Sequence, residues 1–235
     1  MSNSQPEEPV SLHDIDFDAI YQGRPSSEGV SFDRLPWDIG KAQPAVREME
    51  ADGRLRGEIL DIGCGFGDNA IFLAVQGHHV TALDGSPIAI ENARARATAQ
   101  GVRVTFGVAD ATDLTGYEGR FDTVLDSALY HCLDDEQRLA YTAALHRATT
   151  PRALLTIMCV RDDLPAPARP TVGVSETNLR DTLGATGWTV TGLRPGQYFG
   201  TPAAGLMATA LGLDPVVDSD GHVALPVWIV EAERA

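Results

Sequence analysis

The stretch that most constrains this chain is residues 57–76. An apolar run, GEILDIG, breaks into Gly63-Cys64-Gly65-Phe66-Gly67 and continues as DNAIFLAVQ. The run has strand length, and the segment from Asp68 to Gln76 reads as a helix that Gly77 caps. A strand that ends in glycines and passes directly into a helix makes a βα unit whose loop admits close backbone approach to a ligand. The same alternation then repeats. HVTALD reads as a second strand, followed by a helix with Ser86 as N-cap and Pro87 at its first position, ending near Gln100. RVTFGVAD and FDTVLDS are strands three and four. A helix follows from Asp134 to Thr149, and Pro151 ends its connection to strand five, ALLTIMCV. A helix over Thr177–Gly184 leads to strand six, WTVTGLRP, and VALPVWIVEAER is strand seven. Alternating strands and helices predict an α/β fold, a mostly parallel sheet with helices on both faces. Residues 196–222, rich in Gly, Ala and Pro, are expected to form an insertion over the carboxyl edge of the sheet.

Upstream of this unit, residues 1–11 read as a disordered tail, and DIDFDAIY as a short helix with Ile15, Phe17 and Ile20 partly buried. LPWDIGKAQPAVREME becomes helical from Pro44. Residues 12–55 are therefore expected to form a helical segment ahead of an α/β domain over 56–235. Lys plus Arg is 18 against 33 Asp plus Glu, a formal charge of -15. That balance disfavours nucleic acid and anionic membranes, both of which are bound through Lys and Arg. Cys64, Cys132 and Cys159 form no CxxC pair, so neither a zinc knuckle nor a disulfide framework is indicated, and free thiols fit a cytoplasmic setting. The polar N-terminus carries no signal-peptide pattern, and the apolar runs are strand-sized, too short to span a membrane.

Ligands of such sheets bind outside the carboxyl ends of the strands. Those ends carry Asp61, Gly63 and Gly65 on strand one, and Asp84, Gly85 and Ser86 on strand two. Strand three ends in Asp110 and Ala111, strand four in Asp126 and Ser127. A carboxylate about 20 residues beyond a glycine loop accepts ribose hydroxyls in two cofactor classes. Dinucleotides prefer G-x-G-x-x-G with a pyrophosphate at the helix start. Here the spacing is G-x-G-x-G with Asp68 next, a poor neighbour for pyrophosphate and a harmless one for a phosphate-free cation.

With these motifs in order, ILDIGCGFGDNAIFLA, ALDGS, GVADATDL and FDTVLDSALYHCL, the chain resembles the class I S-adenosylmethionine-dependent methyltransferases. The resemblance covers about residues 56–235 and implies a Rossmann-like, doubly wound sheet of seven strands with the last antiparallel. It also implies S-adenosylmethionine as cofactor, held by the strand-end residues named above. LPWDIGKAQPAV resembles the P-W-D-x-G-x-x-x-P segment of small-molecule methyltransferases acting on thiols, halides and thiopurines. Together with FDTVLDSALYHCL it is also similar to actinobacterial enzymes that methylate hydroxyquinolones and related heteroaromatics. By that resemblance residues 12–55 are a lid on a catalytic domain over 56–235, and Trp37 packs on the cofactor from that lid. The chain lacks the further upstream tryptophans of the plant thiol and halide enzymes and has Ser127 where they carry Tyr.

The expected activity is methyl transfer to an O, N or S nucleophile of a small molecule, by a monomer or homodimer, with no metal implied. His131, four residues beyond strand four, is the candidate base: a helix start that disfavours its charge would keep it neutral. Tyr21, Tyr130 and Tyr198 are candidates to line the acceptor pocket. Two other readings stand beside this one, a non-catalytic binder of S-adenosylmethionine and a dinucleotide-dependent oxidoreductase.

Overall fold

The computed structural model describes residues 16–25, 35–163, 173–210 and 214–235. Its sheet contains β1 (Glu58–Ile62), β2 (His79–Asp84), β3 (Thr105–Val108), β4 (Phe121–Ser127), β5 (Thr149–Val160), β6 (Trp188–Gly200), β7 (Val216–Val217) and β8 (Val223–Arg234). The helices are α1 (Phe17–Tyr21), α2 (Pro44–Ala51), α3 (Asp68–Val75), α4 (Pro87–Ala99), α5 (Asp135–Ala148), α6 (Glu176–Ala185) and α7 (Pro202–Ala210). The strand order is β3-β2-β1-β4-β5-β8-β6, with β7 paired to β8. Strands β1 to β5 pair in parallel, and β8 runs antiparallel to both β5 and β6. The order reverses at β1, so the crevice beyond β1 and β4 is the switch point where ligands of such sheets bind.

Successive residues of the central strands serve opposite cores, as the two-residue strand period requires. Leu60, Ile62, Leu83 and Val124 pack with Tyr141, Leu145, Leu179 and Leu183 of α5 and α6. Ile59, Val80, Ala82 and Leu125 pack on the other face with Val46, Met49, Ala70, Leu73, Ile90 and Ala93 of α2, α3 and α4. Burial on both faces explains why these strands read as continuous apolar runs. The helix starts are fixed by capping. Ser86 Oγ accepts the Ala89 N–H at 3.2 Å, and Ser175 Oγ accepts that of Asn178 at 3.0 Å. Asp134 and Gln137 exchange reciprocal bonds of 2.8 and 3.0 Å in a capping box.

Three sequence expectations are corrected. The helix expected over Asp134–Thr149 ends at Ala148, and Thr149 already belongs to β5, paired with Phe121. Pro151 therefore lies inside a strand, where the register shifts between Phe121 and Thr123 and Arg152 takes a φ of 64°. Strand six continues past Pro195 and Gly196 to Gly200 because β8 pairs with it along its whole length, from Trp188↔Arg234 to Gly200↔Val223. The insertion is correspondingly shorter, and it adds a two-residue eighth strand, β7. The expected tail over 1–11 lies outside the described residues, as does the first part of the helix expected from Asp14.

The segment ahead of β1 is built into the sheet. Pro36 O accepts the Thr201 N–H at 2.8 Å, and Leu35 O accepts the Thr201 hydroxyl at 3.0 Å. The Gln43 amide pairs reciprocally with the Phe199 backbone, donating at 2.8 Å and accepting at 2.9 Å. The Gln43 N–H donates to Asn69 at 2.9 Å. Val46, Met49 and Leu55 belong to the core of one face. Among the described residues, no helix is long and apolar enough to cross a membrane. Because Gln43 is buried and both ends of its amide are used, Gln43→Ala is expected to destabilise the protein by about 2 kcal/mol in urea unfolding.

Candidate cofactor and acceptor site

The glycine loop is held by the end of β2. The N–H groups of Gly63 and Cys64 donate to Leu83 O at 2.8 and 3.0 Å, and the Gly65 N–H donates to Asp84 Oδ2 at 2.8 Å. Asp84 Oδ1 accepts the Ser86 N–H at 2.9 Å. Asp84 is 9% exposed; burial raises its pKa and these two N–H groups oppose the rise. Each carboxylate oxygen has two acceptor positions, so one on each remains for a ligand. Gly65 has φ 53°, and a Cβ there would lie 3.2 Å from Tyr21 Oη, so the loop requires glycine both for its conformation and for the ring above it.

That ring belongs to an aromatic cluster over the loop. Tyr21 lies 5.2 Å from Phe66 and 5.8 Å from Trp37, and Trp37 lies 5.8 Å from Phe17, between ring centroids. Burial, and secondly the charge of Asp84, push the Tyr21 hydroxyl well above its ordinary pKa. Tyr21, expected to line the acceptor pocket, lies over the glycine loop near Gly65 and Asp84. In α1, Asp18 accepts the Ser86 hydroxyl at 2.6 Å, tying this helix to the start of α4.

Asp61 and Asp126 end adjacent strands and differ sharply. Asp126 Oδ1 accepts the Leu129 N–H at 2.8 Å, and Oδ2 accepts the Tyr141 hydroxyl at 2.8 Å. With no exposed surface, Asp126 braces the turn after β4 from below, which corrects its expected place among the cofactor contacts. Asp61 is equally buried, yet neither oxygen has a hydrogen-bond partner at normal geometry. Burial pushes its carboxyl up to about 7, against an opposing contribution from the Ala70 N–H. Ser127 Oγ and His131 Nδ1 are also buried without partners. Between Ser127 and the turn holding His131, Ala128 adopts φ 85°, a costly conformation for a residue with a Cβ.

His131 sits in a 3-10 turn, Tyr130–Cys132. Burial, with the Arg138 charge adding to it, pulls the imidazole down to about 4. Burial and the Arg138 cation both favour the neutral form expected of His131. Tyr130 is fully buried, donates to Asn178 at 3.1 Å and lies under the Arg138 guanidinium, so it is a core residue and does not line a pocket. Tyr198 is 8% exposed and belongs to the core cluster on which Trp37 packs. Asp110 is exposed and accepts both the N–H and the hydroxyl of Thr112 at 2.8 and 2.7 Å. Ala111 packs against the core beside it. Gly85 borders open space. Cys64, Cys132 and Cys159 form no disulfide, and Cys132 Sγ lies 3.6 Å from Ala128 O. Asp218, Asp220 and His222 place ligand atoms within 4.8 Å of one another, but Lys41 already pairs with Asp220.

Asp68, expected to be a poor neighbour for a pyrophosphate, is ion-paired. Its carboxylate meets Arg96 at 3.0 Å, so the start of α3 does not present an uncompensated negative charge. Asp38, Phe66 and Ala128 lie within the motifs but are not among the residues expected at the site, and Arg96 and Asp18 gave no sequence signal of belonging to it.

Comparison with known proteins decides the class. A methyltransferase domain family matches residues 59–152. The 2-heptyl-1-hydroxyquinolin-4(1H)-one methyltransferase of Mycobacteroides abscessus is 33% identical over 93% of this chain and 96% of its own. A structure solved in work on conversion of a disulfide bond into a thioacetal group during echinomycin biosynthesis is 37% identical. It superposes with a TM-score of 0.77, covering 93% of this chain and 90% of the other. Burkholderia thailandensis 1,6-didemethyltoxoflavin-N1-methyltransferase, solved with S-adenosylhomocysteine, shares the fold at 23% identity and a TM-score of 0.57, covering 82% and 77% of the two chains. The chain belongs to the class I S-adenosylmethionine-dependent methyltransferases, and S-adenosylmethionine is its cofactor.

The raised Asp61 carboxyl gives a signed prediction. The folded protein retains at pH 4 to 7 a proton that the unfolded chain releases, so this group's contribution to stability is lost as pH rises through about 7. Without cofactor, Asp61→Asn is expected to gain melting temperature relative to the parent as pH rises from 4 to 7, and to hold the gain above that. An equal difference at pH 4 and pH 8 contradicts the buried, unpartnered state of Asp61.

Proposed function

We propose that this chain methylates an acidic hydroxyl on a small heteroaromatic molecule of the hydroxyquinolone type. The single observation that supports the site best is the set of unpartnered buried polar atoms, Asp61 Oδ1 and Oδ2, Ser127 Oγ and His131 Nδ1, at or just beyond the carboxyl ends of β1 and β4. Unsatisfied buried groups are costly, and their concentration beyond the switch point fits a site completed by a polar, cationic ligand. The 33% identity with the hydroxyquinolone enzyme, across nearly the whole of both chains, supports the acceptor class.

In this reading Asp84 offers its two remaining acceptor positions to the ribose hydroxyls, with Gly85 leaving open space beside them. Asp61 faces the ammonium and carries the negative charge that a cation would hold in its ionised form. Gly63 and Gly65 bring backbone against the ligand, Asp110 and Ala111 flank its base, and Trp37 and Tyr21 exclude water above the loop. Bound S-adenosylmethionine supplies a methyl group already activated on a sulfonium. The chain's contribution is then proximity and in-line alignment of an acceptor oxygen. His131, held neutral, positions that oxygen by hydrogen bonding; with its pKa near 4 it is too weak a base to retain the proton. An acidic N-hydroxy or phenolic acceptor reaches the site ionised and needs no stronger base. Three cysteines outside any disulfide and the charge of -15 fit a cytoplasmic enzyme with no nucleic-acid partner. A sulfur acceptor is the second reading, favoured by the 37% identity to the protein of the thioacetal study.

A radiolabelled methyl screen over hydroxyquinolones, phenols and thiols tests the acceptor. The expected result is preference for the hydroxyquinolones, whereas exclusive labelling of thiols supports the second reading. Asp84→Ala is expected to weaken S-adenosylhomocysteine binding at least ~10-fold by calorimetry, through loss of a charge-assisted acceptor and of the loop anchor. The rate of the parent enzyme is expected to show no limb near pH 6.5 from His131. His131→Gln, which keeps a polar side chain, should retain more activity than His131→Ala. A limb near pH 6.5 that disappears in His131→Gln restores the base role.

A further inference from the structure

One cation joins three walls of the site. Arg96 projects from α4 and makes a two-pronged ion pair with Asp38, 2.8 Å on each arm. It also donates to Asp68 at the start of α3, at 3.0 Å, and its guanidinium lies 4.6 Å from the centre of the Phe66 ring. These partners are not scattered. Asp38 follows Trp37, Phe66 sits inside the glycine loop and stacks near Tyr21, and α4 itself begins from the Asp84-Gly85-Ser86 turn. The planar guanidinium suits this task because it offers several donors in one plane and a face for an aromatic ring at the same time. The pair is partly shielded, with Arg96 32% and Asp38 16% exposed in their side chains, so it is stronger than an ordinary surface pair. The Asp38 bonds, and secondarily Asp68, hold the Arg96 pKa above its ordinary value despite burial.

We propose that Arg96 is a positioning residue for the cofactor: its bonds to Asp38 and Asp68 and its stacking on Phe66 fix Trp37 against the glycine loop and so set cofactor affinity. The inference rests on the methyltransferase reading of the site. It assigns Asp38 the matching role of receiving the clamp. Lys in place of Arg keeps the charge but loses the two-pronged geometry and the stacked face, which makes Arg96→Lys the informative variant and Arg96→Ala a harsher one.

The test measures S-adenosylhomocysteine binding by calorimetry, and steady-state rates, for the parent, Arg96→Lys, Asp38→Asn, Trp37→Phe and the Arg96→Lys/Trp37→Phe double variant. Binding by the parent checks the underlying reading; a parent that binds no S-adenosylhomocysteine removes that reading and the proposal with it. Given binding, Arg96→Lys and Asp38→Asn are each expected to raise Kd and the KM for S-adenosylmethionine ~10-fold. The kcat at saturating cofactor and the KM for the acceptor should stay within about two-fold. Because Arg96 acts through Trp37, Arg96→Lys should add little to Trp37→Phe in the double variant. Unchanged cofactor affinity in Arg96→Lys overturns the proposal, as does full additivity with Trp37→Phe. So does a lowered melting temperature with the Kd of the parent, which would make the clamp purely structural.

Discussion

The Asp84 carboxylate takes the Gly65 N–H on one oxygen and the Ser86 N–H on the other. Those two bonds fix the loops after β1 and β2 relative to each other, and most of the site is referred to them. The glycine loop carries Phe66, against which Tyr21 and Arg96 pack. The Ser86 turn starts α4, which carries Arg96, and receives Asp18 of α1. A charge-assisted bond to backbone is stronger than a neutral one and, when buried, is screened little by solvent. The loop is thus held at its inner edge by one side chain, and in the proposed reading, where Asp84 also accepts the ribose hydroxyls, binding and loop order are coupled through it.

Three buried aspartates end three neighbouring strands, and the protein treats each differently. Asp126 is satisfied by backbone N–H groups and Tyr141, Asp84 is satisfied in part, and Asp61 not at all. The gradient runs from scaffold to site. Leaving Asp61 without a partner at normal geometry costs stability in the free protein, and the proposed reading offsets that cost with a bound cation. The acidic balance of the chain has a local counterpart here, moderated by Arg96, which compensates Asp68 and Asp38 at the edge of the same crevice.

Much of the fold was legible because local rules and tertiary demands agree. The apolar runs of β1, β2 and β4 are buried on both faces, and the Ser86-Pro87 and Asp134 helix starts carry their own caps. Legibility failed where pairing overrode local breakers. Pro151 sits inside β5, and Pro195 with Gly196 sits inside β6, because long partners tolerate them at a register shift and along an edge strand. In the site, motifs identified strand ends but not orientations. Asp61 and Asp126 look alike in sequence, and only the turn after β4 shows that Asp126 is consumed by its own backbone. Arg96 and Asp38 are far apart in the chain, with no spacing to link them. Tyr130 follows the strand-four motif but points into the core, a direction set by the 3-10 turn.

The position of β8 has a consequence for the order in which the molecule is made. β6 emerges from the ribosome before β8, yet it meets the rest of the sheet only through β8, which lies between it and β5. The Pro36–Gln43 segment is anchored on Phe199 and Thr201, at and just beyond the end of β6. The wall carrying Trp37 therefore lacks its seat on Phe199 and Thr201, though not its Asp38–Arg96 pair, until a strand made long after it has paired. Such late, non-local pairing is slow and leaves strand edges open meanwhile. A nascent chain of this design has its glycine loop translated early, while the segment from Leu35 gains its bonds to the end of β6 only as β8 closes the sheet.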